Sequence, residues 1–93
     1  MYYQDEIGIY QLQIELALHD ISEVGADCIE YDKEGEMFSI SLVNRKLLSQ
    51  PGSVDFIHDI DEVYFETVDN VIWMTYRRQE RENSFPIGFH YEK

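Results

Sequence analysis

Apolar and polar positions divide the chain into a helical opening followed by strands. From about Gln4 to Val24, apolar groups recur at Ile7, Tyr10, Ile14, Ala17, Leu18, Ile21 and Val24. Steps of three and four residues line up on one face of an α-helix. Gly25 follows where a helix-terminating glycine would sit. Tyr10, Leu12, Ile14, Leu16 and Leu18 also alternate as a strand would. Gln, Glu, Leu and Ala favour the helix, and roughly twenty residues is long for a strand. Gly8 suggests that the regular part begins after it.

The next segment reads as a hairpin. Ile29 and Tyr31 alternate with Cys28 and Glu30, Lys33-Glu34-Gly35-Glu36 supplies a turn, and Phe38, Ile40 and Leu42 alternate with Ser39 and Ser41. Folding the runs over that turn sets Tyr31 opposite Phe38 and Ile29 opposite Ile40, with all four on one face. Asn44 to Ser49 fits a helical turn capped by Asn44 and ended at Gln50-Pro51-Gly52-Ser53. Val54 to Ile60 is ambiguous, and Phe56, Ile57 and Ile60 fit a short helix.

A second hairpin is the clearest local signal. Glu62–Val68 and Val71–Arg78 are rich in β-branched and aromatic residues, and Asp69-Asn70 between them tolerate the positive φ of a two-residue turn. The pairing then places Thr67–Ile72, Phe65–Met74 and Val63–Tyr76 on one face. Glu66–Trp73, Tyr64–Thr75 and Glu62–Arg77 fall on the other. Arg78 to Asn83 reads as a polar connection and Ser84 to Tyr91 as a last strand. Pro86 cannot donate to a ladder, which puts that strand at an edge or delays its start. The predicted fold is α+β: a single antiparallel sheet of about five strands, two hairpins plus a C-terminal strand, with a long N-terminal helix packed on one face.

Composition makes that pattern foldable. The 93 residues are 44% apolar and 14% aromatic, enough to build one core, so residues 1–93 read as a single domain. Cys28 is the sole cysteine, which suits a reducing compartment. Residues Met1 to Glu6 lack the basic and apolar regions of a signal peptide, and no apolar run approaches ~18 residues. The expected address is cytoplasmic, away from membranes.

Charge changes the picture most. Nineteen acids against seven bases leave −12. Such a field repels phosphate backbones, which argues against direct nucleic-acid binding, and it attracts basic surfaces. The acids are also segregated. Eight lie between Glu15 and Glu36 with only Lys33 opposing them, and six lie between Asp55 and Asp69 with no base. Basic residues gather instead at Arg45-Lys46 and at Arg77, Arg78 and Arg81, and the arginine cluster is placed to offset neighbouring carboxylates.

Catalytic constellations are weak. Cys28 has no local signature, and its acidic neighbours Asp27 and Glu30 disfavour the thiolate a nucleophile needs. The run His58-Asp59-Ile60-Asp61-Glu62 has ligand-type residues, but adjacent acids on an extended segment point to opposite faces and no calcium-loop spacing is present. The five glycines are scattered, so no phosphate-cradling loop exists. No enzyme activity, cofactor or metal is expected.

A binding surface has more to stand on. Glu62, Tyr64, Glu66 and Trp73 share a hairpin face, and Asp55, Asp59 and Asp61 precede it. Carboxylates steer and bind Lys and Arg, while aromatic faces accept cations and anchor an interface. The opposite face (Val63, Phe65, Ile72, Met74, Tyr76) suits the core. The expected function is a small acidic inhibitor, of the immunity type, that neutralises a basic protein such as a nuclease toxin or a nucleic-acid-handling enzyme. Two alternatives are a phage-type counter-defence protein that mimics DNA, and an adaptor or oligomer subunit. Tyr2, Tyr3, Phe89 and Tyr91 would suit a homodimer, against which stands a simple monomer.

Overall fold

The computed structural model describes residues 3–91. Tyr2 lies outside them, and Tyr3 is described only as the start of the helix. Helix α1 (Tyr3–Leu18) is followed by β1 (Asp20–Val24), β2 (Cys28–Lys33), β3 (Glu36–Val43), β4 (Lys46–Gln50), β5 (Val54–Ile57), β6 (Glu62–Val68), β7 (Val71–Arg78) and β8 (Arg81–Phe89). The class is α+β with antiparallel pairing, as the pattern predicts. The single sheet is not found: β1 to β5 form one meander and β6 to β8 a second.

Both predicted hairpins hold residue for residue. Tyr31 pairs with Phe38 and Ile29 with Ile40 in the first. All seven pairs from Glu62–Arg77 to Val68–Val71 form in the second. The turns explain this success. Glu34-Gly35 and Asp69-Asn70 both have positive φ at each central residue, the twist that matches a right-handed strand pair.

The extra strands come from signals that resemble helix. Ile21 and Val24 are three residues apart, yet a register shift between Ile21 and Glu23 turns both inward, opposite Tyr31 and Ile29. The helix therefore stops at Leu18, not near Val24, and Gly25 lies in the β1–β2 turn, its N–H donating to the Cys28 carbonyl. His19 Nδ1–H donates to the Glu15 carbonyl at 2.8 Å and satisfies one open end of the helix. The expected helical turn at Asn44 is a tight β-turn, with φ of 50° at Asn44 and 65° at Arg45. It launches β4, where a register shift between Leu47 and Leu48 lets both leucines be buried and erases the alternation. The polar connection after Arg78 shrinks to Gln79-Glu80, because β8 starts at Arg81. Pro86 does lie on an edge strand, beside the bulge that leaves Ile87 facing the core.

One core joins the three layers. Ile9, Leu12 and Leu16 of α1 meet Ile29, Tyr31, Ile40, Leu47 and Ile57 of the first sheet, and Phe65, Ile72, Met74, Tyr76 and Ile87 of the second. The helix rests against β5 and β8, an edge strand of each sheet. Its inward stripe is thus Ile9, Leu12 and Leu16, whereas the stripe that the sequence pattern assigned to packing (Ile7, Tyr10, Ile14, Leu18) faces outward. Gly8 lies inside the helix because α1 touches β5 there. A Cβ on Gly8 would come within 1.9 Å of the Phe56 carbonyl oxygen.

Two polar clamps fix the helix. Arg78 binds Asp5 through two hydrogen bonds, of 2.6 and 3.0 Å, and Tyr76 Oη donates to the same carboxylate. Further along α1, Glu15 accepts from Tyr31 Oη at 2.8 Å and Lys33 Nζ at 3.2 Å. Burial pushes the Asp5 carboxyl upward, but the bonds from Arg78 and Tyr76 outweigh it and leave the pKa below the usual carboxylate value. The same balance, with Tyr31 and Lys33, lowers Glu15.

Two tests follow from this packing. Overpacking costs up to about 3 kcal/mol, more than the ~1 kcal/mol that Ala gains over Gly in a helix. Gly8→Ala is expected to lose about 2 kcal/mol and lower Tm by about 10 °C in calorimetry. Because Asp5 and Glu15 are lowered in the folded state, their contribution is complete above about pH 5 and is lost as pH falls through the folded values. Asp5→Asn is expected to cost about 3 kcal/mol near pH 7 in urea titrations. The variant should also lose less stability than the parent between neutral pH and about pH 3.

Candidate partner-binding surface

The β6–β7 face that the sequence singled out is on the outside. Glu62, Tyr64, Glu66 and Trp73 are exposed, while Phe65, Ile72, Met74 and Tyr76 on the opposite side are buried. Strand alternation explains the division, since one face of the hairpin packs on the rest of the core. Thr75 is the buried exception on the outer face, and its hydroxyl lies 2.8 Å from that of Ser84 on β8.

A groove of about 590 Å³ runs between this hairpin and the first sheet, lined in part by Asp27, Cys28, Asp61, Glu62 and Tyr64. It exists because β6 crosses β1, β2 and β3, and Phe65 N–H donates to the Ala26 carbonyl at 2.8 Å. Three carboxylates and an exposed aromatic ring therefore meet at one seam. Asp61 carries charge but is already engaged: it accepts from Arg45 and from the backbone N–H of Gln79. The Gln79 amide first, and then Arg45, hold its pKa below the usual value. Glu62 pairs with Arg77 at 3.0 Å across the strands, an exposed bridge worth about 0–1 kcal/mol that an incoming cation can replace. Asp27 and Glu66 take part in no ion pair among the described residues.

The seam continues onto the outer face of β1 and β2. Asp20 lies opposite Asp32, and Glu23 opposite Glu30. Like charges placed directly across a ladder destabilise it. This array is not legible in the sequence, because its two rows form only once β1 pairs with β2. Cys28 reports the field. Burial raises its thiol pKa, and the carboxylates of Glu30, Asp27 and Glu23 raise it further.

The other predicted residues lie elsewhere. Asp55, on β5, is 3.8 Å from Lys46 Nζ and 3.7 Å from His58 Nε2. Asp59 lines a separate groove with Asp5, Arg45, His58 and Arg78, and its carbonyl accepts from Arg78 Nε. Of the seven, Asp61, Glu62 and Tyr64 share the seam and Glu66 and Trp73 extend it along the hairpin. Asp27, Glu23 and Glu30 are the additions. The dense run of acids after Glu15 was the only sequence signal for them. Among the described residues, no three His, Cys, Asp or Glu side chains form a metal-binding group.

No protein-family model matches the chain, and no curated protein or solved structure is significantly similar to it.

The negative field can be measured at Cys28. A cationic thiol reagent is expected to modify the folded protein about tenfold faster than an anionic reagent of equal size at low ionic strength. The ratio should shrink in high salt and on Asp27→Asn or Glu30→Gln substitution. Equal rates for the two reagents would show that no such field reaches the groove.

Proposed function

We propose that this protein is a small acidic binding module that captures a basic protein and blocks it, in the manner of an immunity-type inhibitor. The observation that carries this reading is the seam where Asp27, Asp61 and Glu62 surround exposed Tyr64, continued by Glu66 and Trp73. A Lys or Arg side chain entering the seam would find carboxylate acceptors and an aromatic face together. The like-charge pairs of β1 and β2 support the same reading, since opposed acids that weaken the free protein gain from a cationic partner.

Internal pairing sharpens the field. Lys33, Arg45, Lys46, Arg77 and Arg78 all bridge to acids of this chain, so the remaining carboxylates dominate the exterior. Glu62, Glu66 and Asp27 would act as direct contacts and Trp73 as an anchor. Asp55 and Asp59, turned away from the seam, would contribute through long-range steering.

The test is affinity capture from a lysate of the source cell at about 50 mM and about 500 mM salt, where a charge-driven complex is strong and weak respectively. A basic protein that is retained at low salt and inhibited by the bound module supports the reading. Failure to retain any basic protein at low salt rejects it. Capture of a duplex-binding protein that free DNA displaces would move the reading to a DNA mimic. With the partner in hand, Glu62→Lys plus Glu66→Lys is expected to slow association at least about tenfold at low salt. Trp73→Ala should act on dissociation, with a loss of about 2 kcal/mol in affinity.

A further inference from the structure

Helix α1 has a second apolar stripe that the fold leaves uncovered. Ile7, Tyr10, Ile14 and Leu18 are 43%, 62%, 41% and 71% exposed. Their spacing of three, four and four residues makes one continuous row along ~17 Å of helix. At Ala17 the row meets an apolar groove of about 680 Å³, lined in part by Leu16, Pro86, Phe89 and Tyr91. Phe89 is 64% and Tyr91 70% exposed at its rim. Gln13 Nε2 donates to the Pro86 carbonyl at 2.9 Å and holds the two sides of this surface together.

We propose that this face joins two copies of the chain, with α1 packed antiparallel against α1 of a second copy across a two-fold axis. Charge is the first argument. From Ile7 to Leu18 the exposed helix positions are Ile7, Tyr10, Gln11, Ile14, Ala17 and Leu18, none of them charged. Two chains of net charge −12 repel through most of their surfaces, and this face lets them approach with carboxylates only at its two ends, Glu6 and Asp20. A basic partner gains nothing from it. An anionic membrane is equally ill matched, because surface-seeking helices carry Lys and Arg beside the apolar row.

Area is the second argument. At roughly 200 Å² for a fully exposed large side chain, Ile7, Tyr10, Ile14, Leu18, Phe89 and Tyr91 together present about 700 Å². That exceeds the ~300–600 Å² of the largest apolar patch on an ordinary monomer, and it approaches the ~800 Å² per partner of a standard interface. Symmetry makes the row self-complementary. Antiparallel packing brings Leu18 of one copy towards Ile7 of the other, with Tyr10 and Ile14 at the centre.

Sedimentation of the full chain tests the proposal. A dimer is expected at about 100 µM, with a dissociation constant in the micromolar range. Added salt should tighten it by screening like charge, opposite to its effect on binding a basic protein. Ile14→Glu is expected to raise the dissociation constant at least about 100-fold while leaving the far-ultraviolet circular dichroism unchanged. Should that variant fail to fold, Leu18→Glu, at a more exposed position, gives the same reading. A monomer at about 100 µM in both low and high salt overturns the proposal, as does a dimer that survives Leu18→Glu.

Discussion

The Arg78 guanidinium holds the three layers of this molecule together. It grips both oxygens of Asp5 on the helix, and it also donates to the His58 carbonyl at 2.6 Å and the Asp59 carbonyl at 3.1 Å. One side chain of β7 thereby binds α1 and the β5–β6 connection, where the chain leaves one sheet for the other. A partly buried cation on a buried carboxylate persists only when both are paired, since removing one partner strands the other. The Glu15 clamp repeats the device at the other sheet. Tyr31-Asp32-Lys33 on β2 and Tyr76-Arg77-Arg78 on β7 each present a tyrosine hydroxyl and a cation, two residues apart, to a helix carboxylate.

This use of cations shapes the exterior. A chain with seven bases spends five of them on internal bridges. Each bridge cancels one acid and one base, so the net charge stays at −12 and the acids left without a counter-ion set the local field. The field also has direction, because β1–β2 and the β6–β7 seam collect acids while the outer row of α1 carries none. Two kinds of surface emerge from one architecture, an acid-aromatic seam between the sheets and a neutral apolar helix face. Opposite salt dependence separates what each can bind.

Legibility in the sequence tracked how local the deciding interaction was. The two predicted hairpins were readable to the residue because their turns are two residues long, with Gly35 in one and Asp69-Asn70 in the other suited to positive φ. Strand alternation next to such a turn leaves one sensible register. The same logic failed where bulges broke alternation. Ile21 and Val24 mimic helical spacing, and Leu47-Leu48 mimic a helical turn, until a neighbouring strand absorbs the irregularity. Asn44 suits a helix N-cap as well as a β-turn, and Arg45 is an unusual residue at positive φ, so residues 44–49 read as a helical turn. The candidate seam was half visible for the same reason. Glu62, Tyr64, Glu66 and Trp73 belong to one hairpin, whereas Asp27, Glu23 and Glu30 join them only through packing between sheets.

By itself, the sequence determined the α+β class and the registers of both predicted hairpins, and it narrowed Pro86 to an edge strand or a late strand start. Each rests on propensity, period or turn chemistry acting over a few residues. The tertiary structure alone decided that there are two sheets, that their packing points the Glu62–Trp73 face outward, and which of the helix's apolar rows is buried. Both rows of α1 are hydrophobic enough to pack, so periodicity is degenerate between them. The choice falls to contacts far apart in the chain: Gly8 fitting against the Phe56 carbonyl, Asp5 reaching Arg78, and Glu15 reaching Tyr31 and Lys33. Those three contacts turn Ile9, Leu12 and Leu16 inward and leave Ile7, Tyr10, Ile14 and Leu18 outside.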